Sequence, residues 1–207
     1  MFWFSKNRKI FLSLSIFLTS LIIFGCASKQ LKPAGFLNDY SNVENGKKRG
    51  LFIDRSKEAN LASYKKLIIA PVVVHFAEDA KGADVEPETL NEFTGFLHDQ
   101  LSIALKGRFE IVDAPGEGVL LLRTALTDVL SSKVLLNIAW HTTLAGLGTG
   151  GAAMEAEFVD SMTQERVLAI VDSRKGNRAK YFNGWSKWKH TEDVFKKWAK
   201  LIYELVE

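Results

Sequence analysis

The sequence predicts an α/β fold of the α+β kind, a single two-layer domain whose mixed sheet is packed by two main helices. Three observations predict it. Lys65 to Phe76 is a β-branched, continuously apolar run, the signature of a strand. Pro87 to Ala104 and Thr191 to Val206 both carry apolar residues at helical spacing. Gly151 to Ser173 alternates in character on either side of a short polar turn, as a hairpin does. Strands and helices that each expose one apolar face must bury those faces against one another, which gives two layers.

The elements follow in chain order. In Lys65 to Phe76 the unbroken apolarity predicts burial, and Pro71 predicts a bulge or an edge position. The first helix begins at Pro87, a residue suited to a first turn, with Glu88 complementing the amino-terminal dipole. Leu90, Phe93, Leu97, Leu101 and Ala104 form its apolar stripe, and Gly107 ends it. Phe109 to Val112 reads as a short strand, Ala114-Pro115-Gly116 as a turn, and Val119 to Val129 as a further strand. In the hairpin, Ala152, Met154, Ala156 and Phe158 share one face, and Glu155 and Glu157 share the other, predicted to be solvated. A three-residue loop, Met162-Thr163-Gln164, pairs Phe158 with Leu168 and Ala156 with Ile170, and sets Asp160 opposite Arg166. A slip of one residue would set Glu157 against Leu168. Thr191 is the expected cap of the last helix, whose rows are Val194, Trp198, Leu201, Leu205 and Phe195, Ala199, Ile202, Val206.

The 207 residues suffice for one real core, and 47% hydrophobic with 25% charged residues excludes disordered and fibrous classes. Of 27 basic residues, Lys6, Arg8 and Lys9 stand at the amino terminus; without them the chain has as many basic as acidic groups. Binding of nucleic acid through bulk positive charge is therefore disfavoured. A single cysteine excludes a disulfide framework and any multi-cysteine metal site.

Residues 1–25 have the layout of an export signal. A basic n-region precedes an uncharged run of 15 residues, Ile10 to Phe24, too short for an ordinary membrane span. It ends in Ile23-Phe24-Gly25-Cys26. This resembles the lipobox of bacterial lipoproteins, with Phe24 bulkier than the residue usual there. The resemblance implies cleavage after Gly25, diacylglycerylation of Cys26 and acylation of the new amino group. Ala27 in place of a retention aspartate implies transfer to the outer membrane, facing the periplasm. Residues 26–34 are then a lipidated tether and 35–207 a single periplasmic domain; the nine residues from Ala27 to Gly35 reach at most about 30 Å.

Chemistry-bearing motifs are sparse. His75, His98, His141 and His190 form no H-E-x-x-H pattern, and there is no G-x-S-x-G elbow. Gly146 to Gly151 is glycine-dense but lacks the lysine of a phosphate-binding loop, so it reads as an entry to the hairpin. Glu155 and Glu157, about 7 Å apart along a strand, have the spacing of a catalytic carboxylate pair but read as solvated. Val134 to Ala145 is strongly apolar and contains Trp140; it is read as core, with a lip contacting lipid or a partner as the alternative. The strongest surface candidate is Arg174 to Lys189, expected to be an exposed loop. There Arg174, Lys175, Arg178, Lys180, Lys187 and Lys189 stand among aromatics that include Trp185 and Trp188, a combination suited to anionic head groups or glycans. No residues point to a catalytic group, cofactor or metal.

Several stretches together resemble a family of Gram-negative lipoproteins, domain of unknown function 3313. They are Gly35-Phe36-Leu37-Asn38-Asp39-Tyr40-Ser41, Tyr64-Lys65-Lys66, Ala70-Pro71-Val72, Gly151 to Glu155 with Glu157, Asp160 and Ser161, and Asp172 with Arg174. Gln164 stands where a turn glycine is more usual, so strain is expected there. The resemblance implies an envelope lipoprotein and brings no catalytic residues. The resulting expectation is a non-enzymatic binding or scaffolding module on the outer membrane. An accessory subunit of a multi-component envelope machine is the alternative, and a glycan-active enzyme using Glu155 or Glu157 ranks last.

Overall fold

The computed structural model describes residues 31–130, 151–175 and 188–207. Leu31–Glu207 forms one compact unit. Its described strands are β1 (Glu44–Asn45), β2 (Leu51–Arg55), β3 (Lys66–Ile69), β4 (Val73–Val74), β5 (Glu110–Ile111), β6 (Val119–Leu130), β7 (Gly151–Asp160) and β8 (Arg166–Lys175). Two helices, α1 (Pro87–Leu105) and α2 (Lys189–Val206), complete the α+β fold. The strands form one mixed sheet in the order β1-β2-β8-β7-β6-β3-β5, with β4 also paired to β6. β3 and β4 run parallel to β6, and β5 runs parallel to β3; the other pairings are antiparallel.

The long β6-β7-β8 meander is the frame, and alternation along it makes two different faces. Leu122, Leu126, Met154, Ala156, Phe158, Leu168 and Ile170 point to the helices and are fully buried. α1 supplies Phe93, Leu97, Leu101 and Leu105 to this core, and α2 supplies Val194, Phe195, Trp198, Ile202 and Val206. Phe93 meets Phe195 edge-on at 5.7 Å, and Phe195 stacks on Trp198 at 5.5 Å. The opposite face carries Glu155, Glu157, Ala169 and Val171. It is covered by residues 31–43, hereafter the strap, whose Leu37 is buried with Phe52, Ala169 and Val171 while Leu31, Phe36, Tyr40 and Val43 pack around them.

The expected hairpin register is present: Phe158 pairs with Leu168 and Ala156 with Ile170. Asp160 does not oppose Arg166, however. The register shifts after Phe158, so that Arg166 faces Val159 and projects to the strap side. Gln164 has φ 61°, the left-handed conformation that makes a turn glycine more usual. Asp160 organises this turn by accepting from the Met162 and Thr163 N–H groups at 2.8 and 2.9 Å.

Three expectations need correction. Lys65 to Phe76 is not one buried strand: pairing lapses around Pro71, and Val73 and Val74 in β4 are 45% and 37% exposed. Thr191 is not the cap of α2; the helix starts earlier, with Trp188 at the cap position, and Thr191 is buried. Glu155 and Glu157 are not solvated but 1% and 4% exposed, because the strap lies over Glu155 and Arg123 and Arg166 enclose Glu157. The sequence reading also passed over β1 and β2, which extend the sheet beyond β8.

One buried polar contact ties helix to sheet. Asp172 on β8 is 1% exposed and accepts from Trp198 Nε1 at 2.7 Å and from Arg174 Nε. Trp198→Phe keeps most of the packing but leaves the carboxylate one donor short. It should cost about 1–3 kcal/mol by urea denaturation. Leu97→Ala in the apolar core should cost about 2–5 kcal/mol in the same assay.

Candidate functional site

Two of the three buried carboxylates among the described residues, Glu155 and Glu157, lie on the strap side of the sheet. Glu155 is the centre. Its Oε1 accepts from the Ala34 N–H at 2.6 Å, and its Oε2 accepts from the Phe36 and Leu37 N–H groups at 3.1 and 3.2 Å and from the Tyr40 hydroxyl at 2.5 Å. The same hydroxyl accepts from the Gly35 and Leu37 N–H groups at 2.9 and 3.1 Å. The backbone can wrap the carboxylate partly because Gly35 takes φ 90°, a conformation costly for any side chain. A β7 carboxylate thus serves as acceptor for a segment more than 115 positions away in sequence that would otherwise bury unpaired donors.

Glu157, two residues on, sits in a charged row. Arg123 Nη2 on β6 lies 3.0 Å from its Oε1, and Arg166 Nε on β8 lies 3.1 Å from its Oε2. Arg166 also donates to the Asp39 carbonyl at 2.7 Å and lies 3.6 Å from Asp54 on β2. A groove of about 1070 Å³ opens beside this row, with Asp39, Asp54, Arg123, Glu157 and Arg166 in its wall. A buried carboxylate bracketed by two guanidiniums has the setting of a structural counter-ion.

The remaining signature residues also find partners. Tyr64 donates to Asp160 at 3.0 Å, and the Ser161 hydroxyl exchanges hydrogen bonds with the Gly116 backbone at 3.1 and 3.2 Å. The Thr163 N–H, against some burial, holds the Asp160 carboxyl below its ordinary range. His75 lies against the Phe36 ring with centroids 6.0 Å apart. No group of three or more His, Cys, Asp or Glu suited to a metal occurs among the described residues.

The expected basic aromatic surface is only partly within view. Cys26, Arg178, Lys180, Trp185 and Lys187 lie outside the described residues, as do Val134 to Ala145. The residues at the two ends of the segment do not form the exposed loop that was expected. Arg174 is paired with buried Asp172, Lys175 closes β8, Trp188 meets Phe93 edge-on at 4.9 Å, and Lys189 opens α2. Sequence reasoning missed the role of Glu155 because the alternation of a hairpin says which face a residue occupies, not what covers that face. The acceptor-rich Glu155 and the donor-rich GFLNDYS segment were the available signal.

Tyr40→Phe removes a donor to Glu155 and an acceptor of two N–H groups, and should cost about 1–3 kcal/mol. Glu155→Ala strands several donors and should cost more, with the two changes coupled in a double-mutant cycle. Burial first, then the Glu155 carboxylate, pushes the Tyr40 phenol up to about 12. A phenol raised in the folded state stabilises it fully below the ordinary value of about 10, and that contribution is lost as pH climbs through about 12. Urea midpoints followed from pH 9 to 12 should fall more steeply for wild type than for Tyr40→Phe.

The family described as Protein of unknown function (DUF3313) matches residues 32–202. No curated protein matches the chain. Among solved structures, a PelC dodecamer from Paraburkholderia phytofirmans is 10% identical, with 70% of this chain and 93% of that one covered at a TM-score of 0.40. A putative neuraminyllactose-binding hemagglutinin homolog from Helicobacter pylori is 16% identical, with 74% and 88% covered at 0.42. A DUF4136 family protein from Bacteroides thetaiotaomicron is 11% identical, with 80% and 99% covered at 0.40. Likenesses of this strength carry no functional argument. The match over residues 32–202 spans the strap, the whole sheet and nearly all of α2, and the chain belongs to the DUF3313 family.

Proposed function

We propose that the protein is a lipid-anchored envelope lipoprotein, held on the periplasmic face of the outer membrane through Cys26, and that it acts as a non-enzymatic binding or scaffolding module. In this reading residues 1–25 are a cleaved signal peptide. The observation that carries the non-enzymatic part is the fate of the buried carboxylates. Glu155 is filled by four donors, Glu157 lies between two arginines, and Asp172 is taken by Trp198 and Arg174. A general acid or base needs a carboxylate oxygen free to meet substrate, and both oxygens of Glu155 and of Glu157, the latter beside the groove, already meet donors, which supports the non-enzymatic reading. The glycan-active reading on Glu155 or Glu157 therefore loses its support.

The anchoring part rests on the Gly25-Cys26 boundary after a basic n-region and an apolar core. Two or three acyl chains, at roughly 0.8 kcal/mol per buried methylene, would hold the protein on a bilayer almost permanently. No helix among the described residues is long and apolar enough to cross a membrane. Membership of an envelope assembly is the second reading, favoured by the apolar content of Val134 to Ala145.

Labelled palmitate should enter the wild-type chain and not Cys26→Ala, which should accumulate as an unprocessed precursor. An unlabelled wild type would overturn the anchor. On a density gradient the acylated protein should travel with the outer membrane, and recovery with the inner membrane would overturn the sorting. Crosslinked envelopes should yield no stoichiometric protein partner if the module works alone, and one if it is a machine subunit.

A further inference from the structure

We infer that the β1–β2 turn, Lys47-Lys48-Arg49, is a contact surface for the anionic phospholipid headgroups of the leaflet that holds the anchor. The inference rests on the lipid-anchor reading and adds the orientation of the domain on its membrane.

The first ground is reach. Only Ala27 to Gln30 separate Cys26 from Leu31, so an acylated Cys26 lies within about 17 Å of Leu31 at full extension. Leu31 is packed against the group formed by Leu37, Phe52, Ala169 and Val171. Phe52 pairs with Val171 and lies three residues from Arg49, about 10 Å along the chain. The membrane surface is therefore within reach of the turn, as it is of the segment around Asp79, which pairs with Lys32 at 2.9 Å; charge decides between them.

The second ground is the place and charge of the turn. Leu130, Gly151 and Lys175 align across β6, β7 and β8 and mark one end of the sheet. The β1–β2 turn sits at that same end, because the Ser173 N–H donates to the Gly50 carbonyl at 3.0 Å. The turn is held by Gly46 N–H to Leu51 carbonyl at 2.9 Å, Leu51 N–H to Lys48 carbonyl at 3.1 Å, and φ 85° at Gly50. Lys47, Lys48 and Arg49 are all exposed. The Lys48 ammonium is shared with Glu204 at 3.5 Å, with both side chains about half in solvent, so that pair is weak and replaceable.

The third ground is asymmetry. On the far side of the same end, the segment held by Asp128 through the Lys81 and Gly82 N–H groups is acidic on balance: Glu78, Asp84, Glu86 and Glu88 are exposed beside Lys81, and Asp79 is paired with Lys32 at 2.9 Å. Three strand spacings, about 14 Å, separate β2 from β6. An anionic surface attracts one side of this end and repels the other, which tilts the β1–β2 edge down onto the leaflet.

The test is lysine acetylation footprinting of the full-length processed protein, reconstituted in vesicles of neutral phosphatidylcholine or of phosphatidylcholine with phosphatidylglycerol. Mass spectrometry reads each site and the state of the Cys26 peptide. Lys47 and Lys48 should label at least about threefold more slowly on the anionic vesicles, while Lys196 and Lys197 on the outer side of α2 should not change. High salt should erase the difference. Lys48→Gln with Arg49→Gln should restore Lys47 to its rate on neutral vesicles. Equal labelling of Lys47 on the two vesicles, with Cys26 acylated, would overturn the contact and leave the anchor intact. An unmodified Cys26 peptide would overturn both.

Discussion

A single carboxylate decides what the rest of this molecule can be. Glu155 stands on the central strand of a three-strand frame, on the face away from the helices, where an ionised group cannot remain without donors. The strap supplies them from its own backbone, together with the Tyr40 hydroxyl. Each partner needs the other. Covered without the strap's donors, Glu155 would be a desolvated charge, and without Glu155 the strap would press unpaired N–H groups onto an apolar surface. The apolar contacts of Leu37 with Phe52, Ala169 and Val171 give the strap its adhesion, and the carboxylate gives it its register.

The same logic extends along the face. Glu157 would be equally untenable alone, and it is met by Arg123 directly across the β6–β7 pair and by Arg166 from β8. Arg166 reaches it only because the hairpin bulges after Phe158 and turns the guanidinium to the strap side. The bulge therefore completes a charge row that also reaches the Asp39 carbonyl on the strap and the Asp54 carboxylate on β2. Replacing either arginine alone would leave a buried carboxylate undercompensated, so the row behaves as a unit.

The fold was legible where period and length were unambiguous. The apolar stripes of both helices, the long β6 run and the hairpin register as far as Phe158 are as their patterns predict, because a one-residue slip would have buried Glu157 against Leu168 on the helix face. What pattern could not give was the covering of the second face. Period two assigns Glu155 and Glu157 to the side opposite Met154, and solvent is the ordinary occupant of such a side. Burial there comes from a segment more than a hundred residues away, beyond the reach of any local window. Pro71 marked an interruption correctly, but the exposure of Val73 and Val74 depends on their edge position, which is a property of strand order. The residues that carried the family resemblance proved to be one another's partners: Tyr40 with Glu155, Tyr64 with Asp160, Arg174 with Asp172.

The strap has a further consequence, in the order in which the fold can be completed. Ala34 and its acceptor on β7 are 121 residues apart, so a chain emerging amino terminus first exposes the strap long before Glu155 exists to receive it. Leu31, Phe36, Leu37 and Tyr40 must wait in solvent while β6, β7 and β8 are made and zipped. Contacts of such long sequence separation form late, since the closure entropy of the loop is met only by what the finished sheet offers. The strap, early in the chain, is thus seated late, and until then the sheet face it covers remains open to whatever binds exposed apolar strands.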